Sequence, residues 1–464
     1  MSQDSSAQSE TLLTYRSRPD LRPPAIDVAP RAHDTAPGYL FVGPKKGGVG
    51  EGGPMILDNH GQPVWFRPMR VADLHAMDFK VQTFRGKPVI TWVTWDEGEY
   101  VILDDSYREV TRIRAGNGYL GDHHEFHITA RDTALITIYS AERRDLSSVG
   151  GPKDGRVAQG IVQELDIDTG EVLFEWHSLD HVGIDETYAK VDQIPGPDLD
   201  YFHINSIDVD HDDNLIVSAR STFAVYKIDR QSGEVIWRLG GKKSNFEMGP
   251  GTPFAYQHDA RRQPGGTITI FDNGTTVFED GVPTAVEESR GIELELDEQQ
   301  MSAVLVREYT HPDKQFAHAG GNLQRLPNGN VLIGWGRAPV FSEFGKGGEL
   351  LFSASFPPDF SSTDASYRAF RFPWSGQPTG QPAAAAERTS EDKVKVYASW
   401  NGATEVATWE VLAGPSPGKL ESLGSVPRGG FETAMLAHTA EPYVSVRAKT
   451  RPGQILGTTG PIKV

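Results

Sequence analysis

Short apolar runs alternate with turn-forming clusters along almost the whole chain. From "GYLFVGPKKGGVG" at Gly38 onward, stretches such as "GPMILDNHGQPVWFRP", "ALITIYSA", "TITIFDNG" and "GIELELDEQQMSAVLVREY" recur between Gly, Pro, Asn and Asp. The helical period is almost absent, so the pattern predicts strands. A longer unit also repeats: a histidine-containing lead-in, a turn, an apolar strand, then a hairpin written hydrophobic-Asp-x-x-Ser/Thr/Gly-Gly-Glu-Val-x-x-x-Trp. "YKIDRQSGEVIWRL" and "QELDIDTGEVLFEW" are nearly superimposable, and "MILDNHGQPVWF" and "FSEFGKGGELLF" are looser copies.

A repeat of roughly fifty to sixty residues built of about four short strands is the mark of a β-propeller blade. Six such units fit between Gly38 and Trp374. Hairpins of this kind also occur in sandwiches, but the constant internal order of the units favours the propeller. The expected fold is therefore all-β, a six-bladed β-propeller over residues 38–375. Residues 1–37, polar and Pro-rich, are expected as an extended strap, and 376–391, "GQPTGQPAAAAERTSE", as a linker. Residues 392–464 are expected to form a small β-sandwich resembling a fibronectin type III module, with Trp400 and Trp409 in its core.

Charge narrows the partners. The 464 residues carry 45 basic and 63 acidic side chains, a formal net charge of −18. That balance opposes attraction to nucleic acid or to an anionic membrane, and neither partner is expected. The chain has no cysteine, which excludes disulfides, thiolate metal sites and cysteine nucleophiles. The start "MSQDSSAQSETLLTYRSRPD" lacks the apolar core of a secretory signal, and no apolar run is long enough to span a bilayer, so a cytoplasmic location is expected.

The candidate chemistry lies in the histidines that lead into the units: His123 and His124 in "GDHHEFHITARDTALITIYSA", His203 in "YFHINSIDVDHDDNLIVSAR", His258 in "YQHDARRQPGGTITIFDNG" and His318 in "FAHAGGNLQRLPNGNVLIGWG". In a propeller, the innermost strands line a central channel, so equivalent positions before them converge on its mouth. Several imidazoles around one point suit a metal centre or group transfer. Asn205 follows His203, Arg220 ends the next strand, and Asp272 and Asn273 end the strand after His258. Arg and Asn donate hydrogen bonds to an oxyanion, whereas a guanidinium repels a divalent metal, so an anionic, oxygen-rich substrate is favoured.

Two other stretches carry less. "GPKKGGVGEGG" lacks the Gly-Lys-Ser/Thr ending of a phosphate-binding loop and reads as a connection between blades. "DVDHDDN" lacks an EF-hand pattern and reads as a turn.

At "HHEF", "FHINSIDVD", "LIVSAR", "QHDARR", "ITIFDNG" and "LPNGNVLIGWG" the chain resembles the arylsulfotransferase family, and the likeness extends from "SRPDLRPP" to "YASWNGATEV". The resemblance implies a six-bladed propeller that moves a sulfuryl group from a phenolic sulfate ester to a phenol, by a ping-pong route and without a phosphonucleotide donor. It implies that His258 is the nucleophile, that His203, Asn205 and Arg220 hold the sulfate oxygens, and that a histidine of "HHEF", His124 in preference to His123, is acid or base for the phenol oxygen. His318 matches no catalytic position, and His123, His318 and Asn322 are carried as substrate-binding candidates. No cofactor and no metal are expected. Relative to the characterised exported members, this chain has no signal, no cysteine and no extra N-terminal domain, but a C-terminal sandwich, which points to a soluble branch. Two other functions fit the same residues: acid–base chemistry, such as cyclisation, isomerisation or hydrolysis, on an aromatic or polyketide-like metabolite, and ligand binding without catalysis.

Overall fold

The computed structural model describes residues 12–29, 34–45, 52–69, 75–95, 97–191, 198–275, 277–279, 282–284, 287–357 and 365–464. Nearly all regular structure is strand; among the described residues the one α-helix is the single turn Ser178–His181. The glycine-rich stretch falls partly outside the description, at residues 46–51, as do residues 1–11 and 30–33 of the expected strap.

Six antiparallel sheets follow one another along the chain. Their first strands are Ala76–Phe84, Gly121–Ile128, Ile204–Val209, His258–Arg262, Asn322–Arg325 and Ala369–Phe372. Each of these touches the next, and Ala369–Phe372 touches Ala76–Phe84, so the inner strands close a ring. One sheet is completed from both parts of the chain: Ala369–Phe372, from the late part, pairs with Tyr39–Val42 from the early part, Tyr39 opposite Phe372 and Val42 opposite Ala369.

Neighbouring sheets enclose apolar layers between them, which explains why many strands are apolar without alternation. Met77, Val93, Tyr100 and Ile102 pack against Phe126, Ile136, Ile138 and Ile161. Ile216, Val225, Trp237 and Leu239 pack against Ile268, Ile270, Ile292 and Leu294.

The repeated hairpin has a local cause. In one copy the Asp166 carboxylate accepts the backbone N–H groups of Asp168 and Thr169 and the Thr169 hydroxyl, and Gly170 takes the left-handed φ of 73°. In the next copy Asp229 does the same with Gln231 and Ser232, and Gly233 has φ 78°. The tryptophans bind one sheet to the next. Trp176 Nε1 donates to the Gly233 carbonyl at 2.9 Å, and Trp237 Nε1 donates to Glu298 at 3.1 Å in the corresponding hairpin one sheet further on.

"DVDHDDN" is a turn, as expected, in which Asp210 and Asp212 hold the Lys227 ammonium at 2.9 and 2.8 Å. The expected linker is not free coil. Ala383–Ser390 is a strand paired antiparallel to Lys393–Ser399, because its alanines fit a half-buried sheet face that Pro and Gly flank but do not interrupt. Two sheets make the C-terminal unit, and Trp409 lies in their shared core with Trp400 packed against it. The unit is fastened to the ring: Asn401 exchanges two hydrogen bonds with the Phe66 backbone, each 2.9 Å, and Tyr107 donates to the Gly402 carbonyl at 2.8 Å. From the N-terminal stretch, Ser17 bonds Glu432 and Ser399, while Asp27–Val28 adds an edge strand to Leu350–Ser355.

Candidate active site

At one end of the ring the inner strands and their lead-ins surround a cavity of about 260 Å³. His123, His124, His203, Arg220 and His258 all line it. His124 stands on an inner strand and His258 begins one, whereas His203 precedes its strand with φ 53°, a left-handed turn that swings its ring inward. Arg220 begins the turn after Leu215–Ala219, and its N–H donates to the His203 carbonyl at 2.9 Å, which ties the two residues together.

Each imidazole is oriented by a polar partner. His258 Nδ1 lies 2.8 Å from Asn273 Oδ1 and 3.1 Å from the Tyr256 carbonyl, both acceptors, so Nδ1 carries the proton. Nε2 then presents its lone pair, which accepts the Gly320 N–H at 3.2 Å on the cavity wall. Burial, then the Arg220 charge, push the His258 pKa well below its ordinary value, so the ring is neutral.

His124 Nδ1 lies 2.6 Å from Asp122 Oδ2, which also accepts the His124 backbone N–H at 2.9 Å. Although burial opposes ionisation of Asp122, its neighbouring imidazoles hold its carboxyl below the usual carboxylate range. A carboxylate at Nδ1 leaves His124 Nε2 free to exchange a proton. His123 is placed otherwise: its ring is sandwiched between Trp95 at 3.6 Å and His124 at 4.2 Å, and burial lowers its pKa well below the ordinary value. His123 Nδ1 lies 3.4 Å from Asp122 Oδ1, farther than His124 Nδ1 from Oδ2.

His203 Nδ1 bonds Asp200, and its Nε2 is buried without a partner. Burial, then Arg220, bring its pKa down to about 4. Arg220 donates to Asp200 at 3.3 Å and lies 4.2 Å above the Tyr256 ring, while its Nε also has no partner.

Three expected site residues stand elsewhere. Asn205 is fully buried and donates to the Gln257 carbonyl at 2.8 Å, bracing one inner strand against the lead-in of the next; it does not line the cavity. Asn322 spends its amide on the Ala369 backbone, with bonds of 2.8 and 2.9 Å, and is also a brace. In both, a polar side chain on an inner strand satisfies neighbouring backbone that no ladder reaches. His318 does not line the cavity either, although its imidazole lies within electrostatic reach of Arg337 and Arg220.

Several contributors were not legible as such. Tyr367 lines the cavity with a buried hydroxyl that has no partner, 5.6 Å from the His124 ring and 6.2 Å from the His258 ring between centroids. Arg337, Trp95 and Lys45 complete much of the wall. Asp122 and Asp200 stand two and three residues before the histidines they orient, a spacing visible in "GDHH" and "DYFH".

Four cavity residues are each followed by a charged residue of a second layer: Met77 by Asp78, His124 by Glu125, His258 by Asp259 and Tyr367 by Arg368. Asp78, Glu125 and Asp259 there meet the cations Lys80, Arg261 and Arg368 in a balanced buried cluster. Lys80 lies 2.7 Å from both Asp78 and Glu125, and Arg368 lies 2.7 Å from Asp78. These cations, Arg261 first, hold the Glu125 carboxyl well below its ordinary range against the effect of burial. Lys80, Asp259 and Arg261 line a separate cavity, so the cluster floors the site.

Asp122, His123 and His124 place one ligand atom each within 4.8 Å of one another, close enough for a cation. The carboxylate is already engaged by His124, and the Arg220 charge stands in the same cavity. Hydrogen-bonded positioning of imidazoles accounts for the trio more fully than ligation does.

Among solved structures, the chain is similar to a protein of unknown function from Bacteroides caccae, with 13% identity, TM-score 0.42, and coverage of 72% of this chain and 98% of that one. It is also similar to a catalytically inactive virginiamycin B lyase from Staphylococcus aureus with quinupristin, with 8% identity, TM-score 0.38, and coverage of 81% and 96%. No curated protein sequence matches it. The model of the Arylsulfotransferase (ASST) family matches residues 80–357, which contain every histidine of the cavity together with Arg220. By that match the chain belongs to the arylsulfotransferase family.

Proposed function

We propose that the protein is an aryl sulfotransferase that moves a sulfuryl group from a phenolic sulfate ester to a phenol through a sulfohistidine at His258, without a phosphonucleotide. In this reading the six sheets are the blades of a six-bladed propeller, the C-terminal pair of sheets is a fibronectin III-like sandwich, and the enzyme works in the cytoplasm. Closure of the inner strands into a ring supports the first of these, and family membership supports the activity.

The observation that carries the reaction is the state of His258: neutral, with its proton fixed on Nδ1 and its lone pair at the cavity wall. Nε2 gives up the long Gly320 N–H bond and attacks sulfur as the bond from sulfur to the phenol oxygen breaks, and the developing positive charge on the ring is shared through Nδ1–H with Asn273. The departing phenolate takes a proton from His124 Nε2, and the acceptor phenol returns one to it before its oxygen attacks the sulfohistidine. Sulfuryl transfer spreads charge over the equatorial oxygens, so preorganised donors dominate catalysis. Arg220 is one. His203, whose pKa burial and Arg220 lower, becomes a second when a bound sulfate charge favours its protonation.

The test is mass spectrometry of the protein mixed with 4-nitrophenyl sulfate. One SO3 group on His258, absent in His258→Ala, is the expected result. A folded protein that acquires no label across several aryl sulfates overturns the proposal.

A further inference from the structure

Three cations line the cavity: Arg220, which the proposed sulfuryl transfer uses, Lys45, which lies over the Trp95 ring, and Arg337. Arg337 stands in the tight turn between Val331–Gly334 and Val340–Phe344, where the Ala338 N–H donates to the Trp335 carbonyl at 3.0 Å. Its own N–H donates to the Ala319 carbonyl at 3.0 Å. Gly336 before it has φ 57°, and a Cβ there would come within 2.5 Å of the Ala319 carbonyl oxygen and of the Gly320 backbone. The turn is thus clamped onto the segment that touches His258, and the guanidinium is delivered to the cavity wall by rigid backbone.

No carboxylate meets it among the described residues. A second guanidinium, Arg220, acts on Arg337, and burial together with Arg220 lowers its pKa. Two cations facing one cavity repel each other, and a protein holds them so when an anion is to come between or beside them. Arg220 shares its charge with Asp200 and is tied to the His203 carbonyl, whereas Arg337 stands in the turn held against Ala319 and Gly320, and both lie within electrostatic reach of His318. One sulfate ester brings one negative charge.

We propose that Arg337 forms a second anion subsite beside the sulfuryl position, so that the preferred phenols carry a further anionic group, such as a ring carboxylate. The inference rests on the reading of the cavity as a phenol site.

Its test needs no turnover. Calorimetry would compare 3- and 4-hydroxybenzoate with the amides of the same shape, 3- and 4-hydroxybenzamide. The expected result is that at least one acid binds the wild-type protein about tenfold or more tighter than its amide. That preference should collapse toward unity in Arg337→Met and be largely restored in Arg337→Lys. Equal binding of acids and amides by the wild-type protein overturns the proposal without any variant having to fold. So does a preference that survives in Arg337→Met. Inorganic sulfate is the second probe: Arg220→Met should weaken it more than Arg337→Met does, and the reverse order would make Arg337 part of the sulfuryl clamp instead. Since these are binding measurements, failure of the subsite and failure to label His258 are separate results.

Discussion

Asn273 presents its Oδ1 to His258 Nδ1 at 2.8 Å while its own amide hydrogens are spent on the carbonyls of Ala317 and Gly320. The amide cannot turn over without losing both of those bonds and placing a donor against a donor. One asparagine therefore holds the proton on Nδ1 and leaves the lone pair on Nε2.

Removing that control should slow sulfuryl capture while leaving the fold in place. Asn273→Ala is expected to reduce the rate of His258 labelling on the order of 100-fold, because the ring is free to choose the wrong tautomer. Quenched-flow mass spectrometry reads the rate directly. A rate within threefold of the parent protein would mean that the Tyr256 carbonyl alone fixes the proton.

Asp122→Asn replaces the acceptor at His124 Nδ1 by a group that can also donate, and should disable His124 as acid and base. The loss should depend on the leaving group. Esters of poorly acidic phenols, which need a proton as they depart, should slow by about 100-fold or more, and 4-nitrophenyl sulfate should slow much less. Equal losses for both donors would remove His124 from the proton-transfer role.

Stability should fall in mild acid. His258 and His203 are buried, and their folded pKa values lie below the ordinary histidine value, that of His203 at about 4. Between the ordinary range and these values the unfolded chain binds more protons than the folded one. The stability they support is therefore complete above about pH 6.5 and is lost as pH falls toward 4, by up to about 1.4 kcal/mol per pH unit for each ring. Urea midpoints measured between pH 7.5 and 4.5 test this, and a flat profile would contradict it.

The floor of the site should be intolerant of partial removal. Arg368 is fully buried between Asp78 and Glu125, and Arg368→Met leaves three carboxylates, Asp78, Glu125 and Asp259, facing two cations, Lys80 and Arg261. A loss of about 3–5 kcal/mol is expected from denaturant unfolding. The Arg368→Met, Glu125→Gln double variant, with the charges rebalanced, should recover part of it; no recovery would mean that packing, rather than charge, sets the cost.

Much of the molecule was legible in the chain. The Asp-x-x-Thr/Ser-Gly-Glu hairpins form because a carboxylate, a hydroxyl and a left-handed glycine close that turn locally, and the residues that do this are adjacent. The histidine lead-ins were legible because they recur at or just before the inner strand in four of the six units. Asn205 and Asn322 were misplaced for a related reason: in an inner strand, neighbouring positions alternate between cavity and brace, and polarity alone does not say which is which. The linker expected at 376–391 failed at Ala383–Ser390, where a run of alanines has little local preference and pairing with Lys393–Ser399 decides its state.

The sequence by itself determined the strands, the turns, the repeat and the family, since these depend on contacts between near neighbours or on motifs read in order. Only the tertiary structure decided that Tyr367 and Arg337 share a cavity with His124, His203 and His258, and that Asp122, Asp200 and Asn273 set their proton positions. Ring closure is the physical reason. Ala369–Phe372 must pair with Tyr39–Val42 before side chains from distant parts of the chain can face one another, and no local preference encodes that meeting.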